Sequence, residues 1–178
     1  MVEAEGISGQ KNREQAGFGS EADVPGEVFI EKPVEISDGA LQTLKGAPRI
    51  ESCLESGTMR GEVQGAWFLG SEIHLSTPHE ADLVVLPNTP RLVARQFPVK
   101  VFTCMLGAHG GWFWVLRGKT GKYQLLLETF ADALEVLNSK TNEYRDIQTD
   151  SATGVSHTTL IFKFDGHRYK LFQRKDTN

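Results

Sequence analysis

The stretch that decides the fold is residues 112–128, WFWVLRGKTGKYQLLLE. Two apolar arms flank Gly118–Gly121, a loop that begins and ends with glycine and is typical of a β-hairpin. Leu125, Leu126 and Leu127 follow one another in the second arm, and such an unbroken apolar run is typical of a strand that is covered on both faces. The stretch therefore predicts a hairpin inside a layered β protein.

Shorter apolar runs on both sides of this hairpin predict further strands, at residues 66–69, 72–75, 81–86, 99–106, 133–137, 144–148, 158–164 and 167–172. Asp165–Gly166 predicts a tight turn between the last two. The polar residues 149–156 are expected to form a loop. Residues 130–137 also fit a helical spacing, but turn residues enclose the run closely and favour a strand.

Two short helices are predicted before the strands. Ser37 or Asp38 can cap a helix that ends at Gly46, and Pro48 suits the first turn of a second helix that ends near Ser56. Repeated strand–helix–strand units are missing from the sequence. We therefore expect an α+β fold, mainly an antiparallel β meander or small barrel with two short N-terminal helices, formed by residues 33–178 as one domain.

The net charge of −4 is concentrated at the start of the chain. Residues 1–32 hold seven acids and three bases, whereas the remaining chain holds 16 of each. This first segment has few large apolar residues, so we expect a disordered acidic arm. The acidic balance argues against a general nucleic-acid binder, and no apolar run approaches the roughly 20 residues of a membrane-spanning helix.

The cysteines bear on the cellular compartment. Cys53 and Cys104 are the two in the chain, and their spacing matches no metal or redox motif. They form either a disulfide or two buried free thiols. A disulfide favours a secreted or periplasmic location, with a signal peptide that is absent from this sequence. A cytoplasmic location is the alternative, because Glu3 and Glu5 follow the first residues and no apolar leader segment is present.

Two sets of residues are candidates for a functional site. His74, His79 and Asp82 lie in or beside one proline-containing loop, and these residue types bind zinc and other divalent ions. The second set is His109 with three tryptophans. A strand places Trp112 and Trp114 on one side, where they could stack on a sugar or a peptide together with Trp67, and a histidine beside such aromatics can act as a base.

Several segments recur together in a familiar arrangement: IHL at 73–75, DLVV at 82–85, FWVLR at 113–117, YQLLL at 123–127, YRDI at 144–147 and FDGHRY at 164–169. Over residues 66–172 this resembles uncharacterised bacterial exported proteins whose hairpins look like FG-GAP propeller repeats. FG-GAP repeats carry an aspartate-rich calcium loop where this chain has STPHEA at 76–81, so the resemblance does not extend to calcium binding. It implies export and a β module without catalytic activity.

The sequence thus predicts a small exported binding or protein-interaction module without catalytic activity and without a cofactor. Its partner is an unknown protein or small ligand, with no nucleic acid and no membrane insertion, and the protein itself is expected to be a monomer or a weak homodimer. A metal-dependent or histidine-based hydrolase that uses His74, His79, Asp82 or His109 is the alternative. The sequence does not distinguish the exported binding module from a third hypothesis, a cytosolic immunity or inhibitor protein.

Overall fold

The computed structural model describes residues 32–76, 81–93 and 103–177. The helices are α1 (Asp38–Lys45), α2 (Pro48–Glu55) and α3 (Thr89–Val93), with a short 3-10 turn at Gly65–Trp67. The strands are β1 (Phe68–Ile73), β2 (Asp82–Pro87), β3 (Gly111–Lys119), β4 (Lys122–Ala131), β5 (Ala133–Thr141), β6 (Tyr144–Thr153), β7 (Ser156–Phe164) and β8 (Tyr169–Thr177). Residues 1–31 of the predicted acidic arm lie outside the described residues.

The eight strands form two antiparallel sheets of four. The first has the order β1-β2-β3-β4 and the second β5-β6-β7-β8, so that each strand pairs with its neighbour in sequence. Asp132 alone separates β4 from β5 and marks the passage from one sheet to the other. The predicted α+β class and antiparallel meander are confirmed, but the strands make two separate sheets rather than the small closed barrel that was the alternative.

The first sheet is buried on both faces. One face packs on the second sheet through the sheet–sheet core, whose members include Val84, Phe113, Val115, Leu126, Ile147, Phe162 and Tyr169. The other face packs on α1 and α2 through the helix–sheet core, whose members include Leu44, Ile50, Trp67, Phe68, Leu83, Trp114 and Leu116. Neighbouring residues of β3 alternate between the two cores, as the period of two in a strand requires.

Both N-terminal helices begin as their sequence predicts. The Ser37 hydroxyl accepts a hydrogen bond from the backbone N–H of Ala40 at 3.3 Å, which satisfies one of the free donors at the start of α1. Pro48 begins α2 at a position where its missing N–H costs no hydrogen bond. Ala40 and Leu44 on α1, with Ile50 and Cys53 on α2, are the buried residues that fasten these helices to the first sheet.

Three predictions about strands need correction. Residues 66–69 and 72–75 do not form two strands, because β1 runs through Gly70 without a break. Residues 149–156 are not a loop, since β6 and β7 remain paired out to Thr153 and Ser156. Residues 103–106 are not a strand but a turn with an isolated bridge at Leu106, while 99–102 lie outside the described residues. The prediction for residues 149–156 was wrong because it relied on their polarity. Polar residues can still form paired strands, since the backbone hydrogen bonds do not require the side chains to be buried.

Candidate functional site

A disulfide joins α2 to the segment that precedes β3. Cys53 and Cys104 are bonded with their Cα atoms 5.9 Å apart, and both are buried. This confirms the disulfide and removes the alternative of two free thiols. The bond fixes residues 103–106 against the helix–sheet core, directly before the aromatic start of β3.

Arg49 strengthens the same junction. Its Nε donates a hydrogen bond to the backbone carbonyl of Cys104 at 2.8 Å, and a second guanidinium nitrogen donates to the same oxygen. Its backbone N–H donates to both carboxylate oxygens of Glu128 at 3.1 Å. A carboxylate beside the first turn of a helix is stabilised by the free N–H groups there. Glu128 on β4 therefore holds the start of α2 against the sheet.

Glu128 also receives a hydrogen bond from inside the protein. Trp114 is fully buried, and its Nε1–H donates to Oε2 of Glu128 at 2.8 Å. The indole N–H is a donor that needs a partner when buried. Trp114 thus serves to pack the helix–sheet core and does not reach the surface.

Trp112 is the tryptophan that is partly exposed. The Arg49 guanidinium carbon lies 5.0 Å from its ring centroid, and Phe130 meets the ring edge-on with centroids 5.9 Å apart. Phe130 is 38 % exposed. We call Arg49, Trp112 and Phe130 the aromatic platform. Sequence reasoning found Trp112 but missed Arg49 and Phe130, because they come from α2 and from the strand opposite.

The turn at 107–110 borders this platform. His109 is exposed there, and Gly107 lies against the ring of Phe130. Gly110 has a φ of +113° and lies so close to Asp132 that a Cβ would overlap its carboxylate. Asp132 in turn accepts a hydrogen bond from the N–H of Ala152 at 2.6 Å. The turn with His109 and the tip of the β6–β7 hairpin therefore lie on either side of Asp132.

The last of the predicted binding residues is buried. Trp67 is 4 % exposed and belongs to the helix–sheet core together with Trp114. Its indole Nε1 is buried and makes no hydrogen bond within the described part of the chain. The structure thus places Trp67 and Trp114 in the interior and leaves Trp112 and His109 at the surface.

Asp82 and His74, two of the predicted metal-binding residues, differ in their exposure to solvent. Asp82 is fully buried, and its two carboxylate oxygens accept hydrogen bonds from the N–H groups of Leu75 at 3.1 Å and Gly118 at 3.2 Å. His74 is exposed, and His79 lies outside the described residues. Across residues 32–76, 81–93 and 103–177, no group of three or more His, Cys, Asp and Glu side chains is arranged to hold a metal ion.

Tyr169 and Asp146 are buried polar residues of the second sheet, and their hydrogen-bond partners were not predicted from the sequence. The Tyr169 hydroxyl donates to the carbonyl of Arg145 at 2.6 Å, and the Ser139 hydroxyl donates to Asp146 at 2.7 Å. Burial, and then the charges of Asp82 and Asp146, raise the pKa of Tyr169 well above its usual range. Both hydrogen bonds lie within the second sheet: one joins β8 to β6, and the other joins β5 to β6.

Among the helices of the described residues, none has both the length and the apolar character required to cross a membrane. No protein family matches this chain, and no curated protein or solved structure matches it either.

Proposed function

We propose that this protein is an exported binding module without catalytic activity, and that the aromatic platform contacts its ligand. The observation that carries the proposal is the partly exposed pair of Trp112 and Phe130. Aromatic faces at a protein surface stack on sugar rings and on planar peptide groups. The ligand class that fits is therefore a short saccharide or an aromatic peptide segment.

The platform has the support that a binding surface requires. Trp112 and Phe130 are direct cross-strand partners on β3 and β4, and Arg49 contacts the Trp112 ring from α2. Arg49 is itself held by the carbonyl of Cys104 and by Glu128. Groups that are already positioned lose less conformational entropy when a ligand binds. The disulfide that anchors this segment also supports export, since such bonds persist in oxidising compartments.

Other residues support a role without catalysis. Both carboxylate oxygens of Asp82 are engaged by backbone N–H groups inside the protein, which suits a structural carboxylate. His109 is exposed on a turn.

The three indole N–H groups allow a direct NMR test. Chitotriose, cellotriose, maltotriose and the tripeptide Gly-Trp-Gly are titrated into uniformly ¹⁵N-labelled protein. We expect at least one probe to shift the Trp112 indole signal while the buried Trp67 and Trp114 signals stay in place. Trp112→Ala should weaken that binding at least tenfold, and Trp112→Phe should recover part of it.

A matched control and a separate test of export complete the design. Phe172→Ala removes an exposed aromatic ring on β8 and should leave binding unchanged. If no probe moves the Trp112 signal, or if Trp112→Ala binds like the parent protein, the platform is not the binding surface.

For export, mass measurement without reductant on protein isolated from its own host should show the disulfide, and two free thiols would contradict that location.

A further inference from the structure

The outer edge of the second sheet has the features of a docking site. β8 is an edge strand, and among the described residues it pairs with β7 alone. Every residue from 170 to 177 is exposed, including Leu171 at 53 % and Phe172 at 63 %. An edge strand presents a row of backbone N–H and C=O groups to which another extended segment can add.

Part of this edge is regular enough to accept a new strand. The pairing of β7 with β8 shifts register at Ile161 and Phe162, which leaves Phe172 as an extra residue. Beyond this bulge, residues 173–177 pair continuously with 157–161. The regular stretch is five residues long, about the length of an average strand in a globular protein.

The positive charge of β8 favours an acidic partner. Residues 170–177 contain three bases, Lys170, Arg174 and Lys175, and one acid, Asp176, which leaves a net charge of +2. Arg174 forms an ion pair with Asp176, and Lys170 forms one with Asp165 in the turn before β8. Lys163 of β7 adds a further positive charge beside Phe172, with its Nζ 3.9 Å from the ring centroid. Two copies of β8 placed edge to edge would bring basic strands together, and like charges in paired strands are destabilising. An acidic strand gains from the same charges.

We propose that β8 binds an extended acidic segment of a partner protein, which adds to the second sheet as a fifth strand. Backbone hydrogen bonds along 173–177 hold the segment. Its carboxylates lie beside Lys170 and Lys175, while its apolar side chains contact Leu171 and Phe172. This surface is on the sheet that does not carry the aromatic platform, so the inference stands independently of the function proposed above.

Fluorescence anisotropy with labelled peptides tests the inference. The probes are EVTVEVTVE, its lysine counterpart KVTVKVTVK, and EVTVEVTVE with N-methyl groups on alternate residues, which blocks strand pairing without changing charge. We expect the acidic peptide to bind at least tenfold more tightly than the other two. Addition of salt should weaken that binding, because charge contributes to it.

Paired charge-reversal variants locate the surface. Lys170→Glu/Lys175→Glu should weaken binding of the acidic peptide at least tenfold, whereas Lys119→Glu/Lys140→Glu makes the same charge change at exposed positions elsewhere and should not. Equal binding of the N-methylated peptide would overturn strand addition. Equal loss in both double variants would overturn the assignment to β8. A dimer by light scattering that Lys170→Glu/Lys175→Glu alters would instead identify a second copy as the occupant.

Discussion

Trp114 and Glu128 face each other across the β3–β4 ladder, and the indole Nε1 lies 2.8 Å from Oε2 of the carboxylate. The same carboxylate accepts the backbone N–H of Arg49 at the start of α2. One glutamate therefore connects the interior of the helix–sheet core to the helix that carries the disulfide. We therefore expect the position of the aromatic platform to depend on this connection.

Replacement of Glu128 by alanine should destabilise the protein markedly. The buried indole N–H of Trp114 would lose its acceptor, and α2 would lose an anion at its N-terminus. We expect the free energy of unfolding to fall by about 2–4 kcal/mol, measured by urea denaturation. Glu72→Ala changes an exposed glutamate on β1 and should alter stability by less than about 0.5 kcal/mol. Equal effects of the two substitutions would contradict this role for Glu128.

The disulfide should contribute strongly to stability. It joins residues separated by 51 positions, and the chain-entropy relation for a loop of this size gives about 4 kcal/mol. Cys53→Ala/Cys104→Ala should therefore lower the urea midpoint substantially. The parent protein with and without reductant provides the control, and the reduced form should approach the double variant. A double variant as stable as the oxidised parent would show that the loop is equally restricted without the bond.

Gly57 and Gly110 both have a positive φ, and alanine substitutions at the two positions distinguish the cost of backbone strain from the cost of steric overlap. At Gly110, with φ of +113°, a Cβ would overlap the Ala131 carbonyl and the Asp132 carboxylate, whereas nothing lies within 4 Å at Gly57, with φ of +69°. We expect Gly57→Ala to cost about 1 kcal/mol and Gly110→Ala about 3 kcal/mol or more. Thermal unfolding followed by circular dichroism measures both. Similar costs would mean that the turn at 107–110 moves to accept the methyl group.

Tyr169 should make stability fall in alkaline solution. Burial and the charges of Asp82 and Asp146 raise its pKa in the folded protein. Above a pH of about 10 the unfolded chain loses this proton while the folded protein keeps it. The free energy of unfolding should therefore decrease as pH rises above that value. Tyr169→Phe should show a smaller decrease between pH 9 and 11 in urea denaturation, and an identical decrease would refute the assignment.

Tyr169→Phe has a second consequence near neutral pH. The variant loses the hydrogen bond from the hydroxyl to the Arg145 carbonyl, which is 2.6 Å long. We expect this loss to cost about 1–2 kcal/mol of unfolding free energy at pH 7. The two effects are separable, because the first depends on pH and the second does not.

The local elements were largely predictable from sequence. Ser37 and Pro48 identify the beginnings of the two N-terminal helices, and the loop at Gly118–Gly121 identifies the β3–β4 turn. These signals are short-range, since capping and turn formation depend on a few neighbouring residues. The alternation of Phe113 and Trp114 between the two cores follows equally from the period of a strand.

The composition of the candidate site was not predictable in the same way. Counting back from the β3–β4 turn, where Lys119 pairs with Lys122, a regular hairpin would place Thr129 opposite Trp112. The bulge at Val115 and Leu116 shifts the register by one residue, so that Phe130 lies opposite instead. The three leucines at 125–127 do not reveal this shift, because any of them can be the extra residue.

Sequence alone therefore determined most of the strands, their antiparallel pairing and the beginnings of the two N-terminal helices, because these depend on turn chemistry and periodicity along the chain. Only the tertiary structure decided that the strands divide into two sheets at Asp132 and that Trp112 remains at the surface while Trp67 and Trp114 do not. It also decided that Cys53 bonds to Cys104. The reason is that these features depend on contacts between residues far apart in sequence, where a bulge or a covering helix changes which side chains meet.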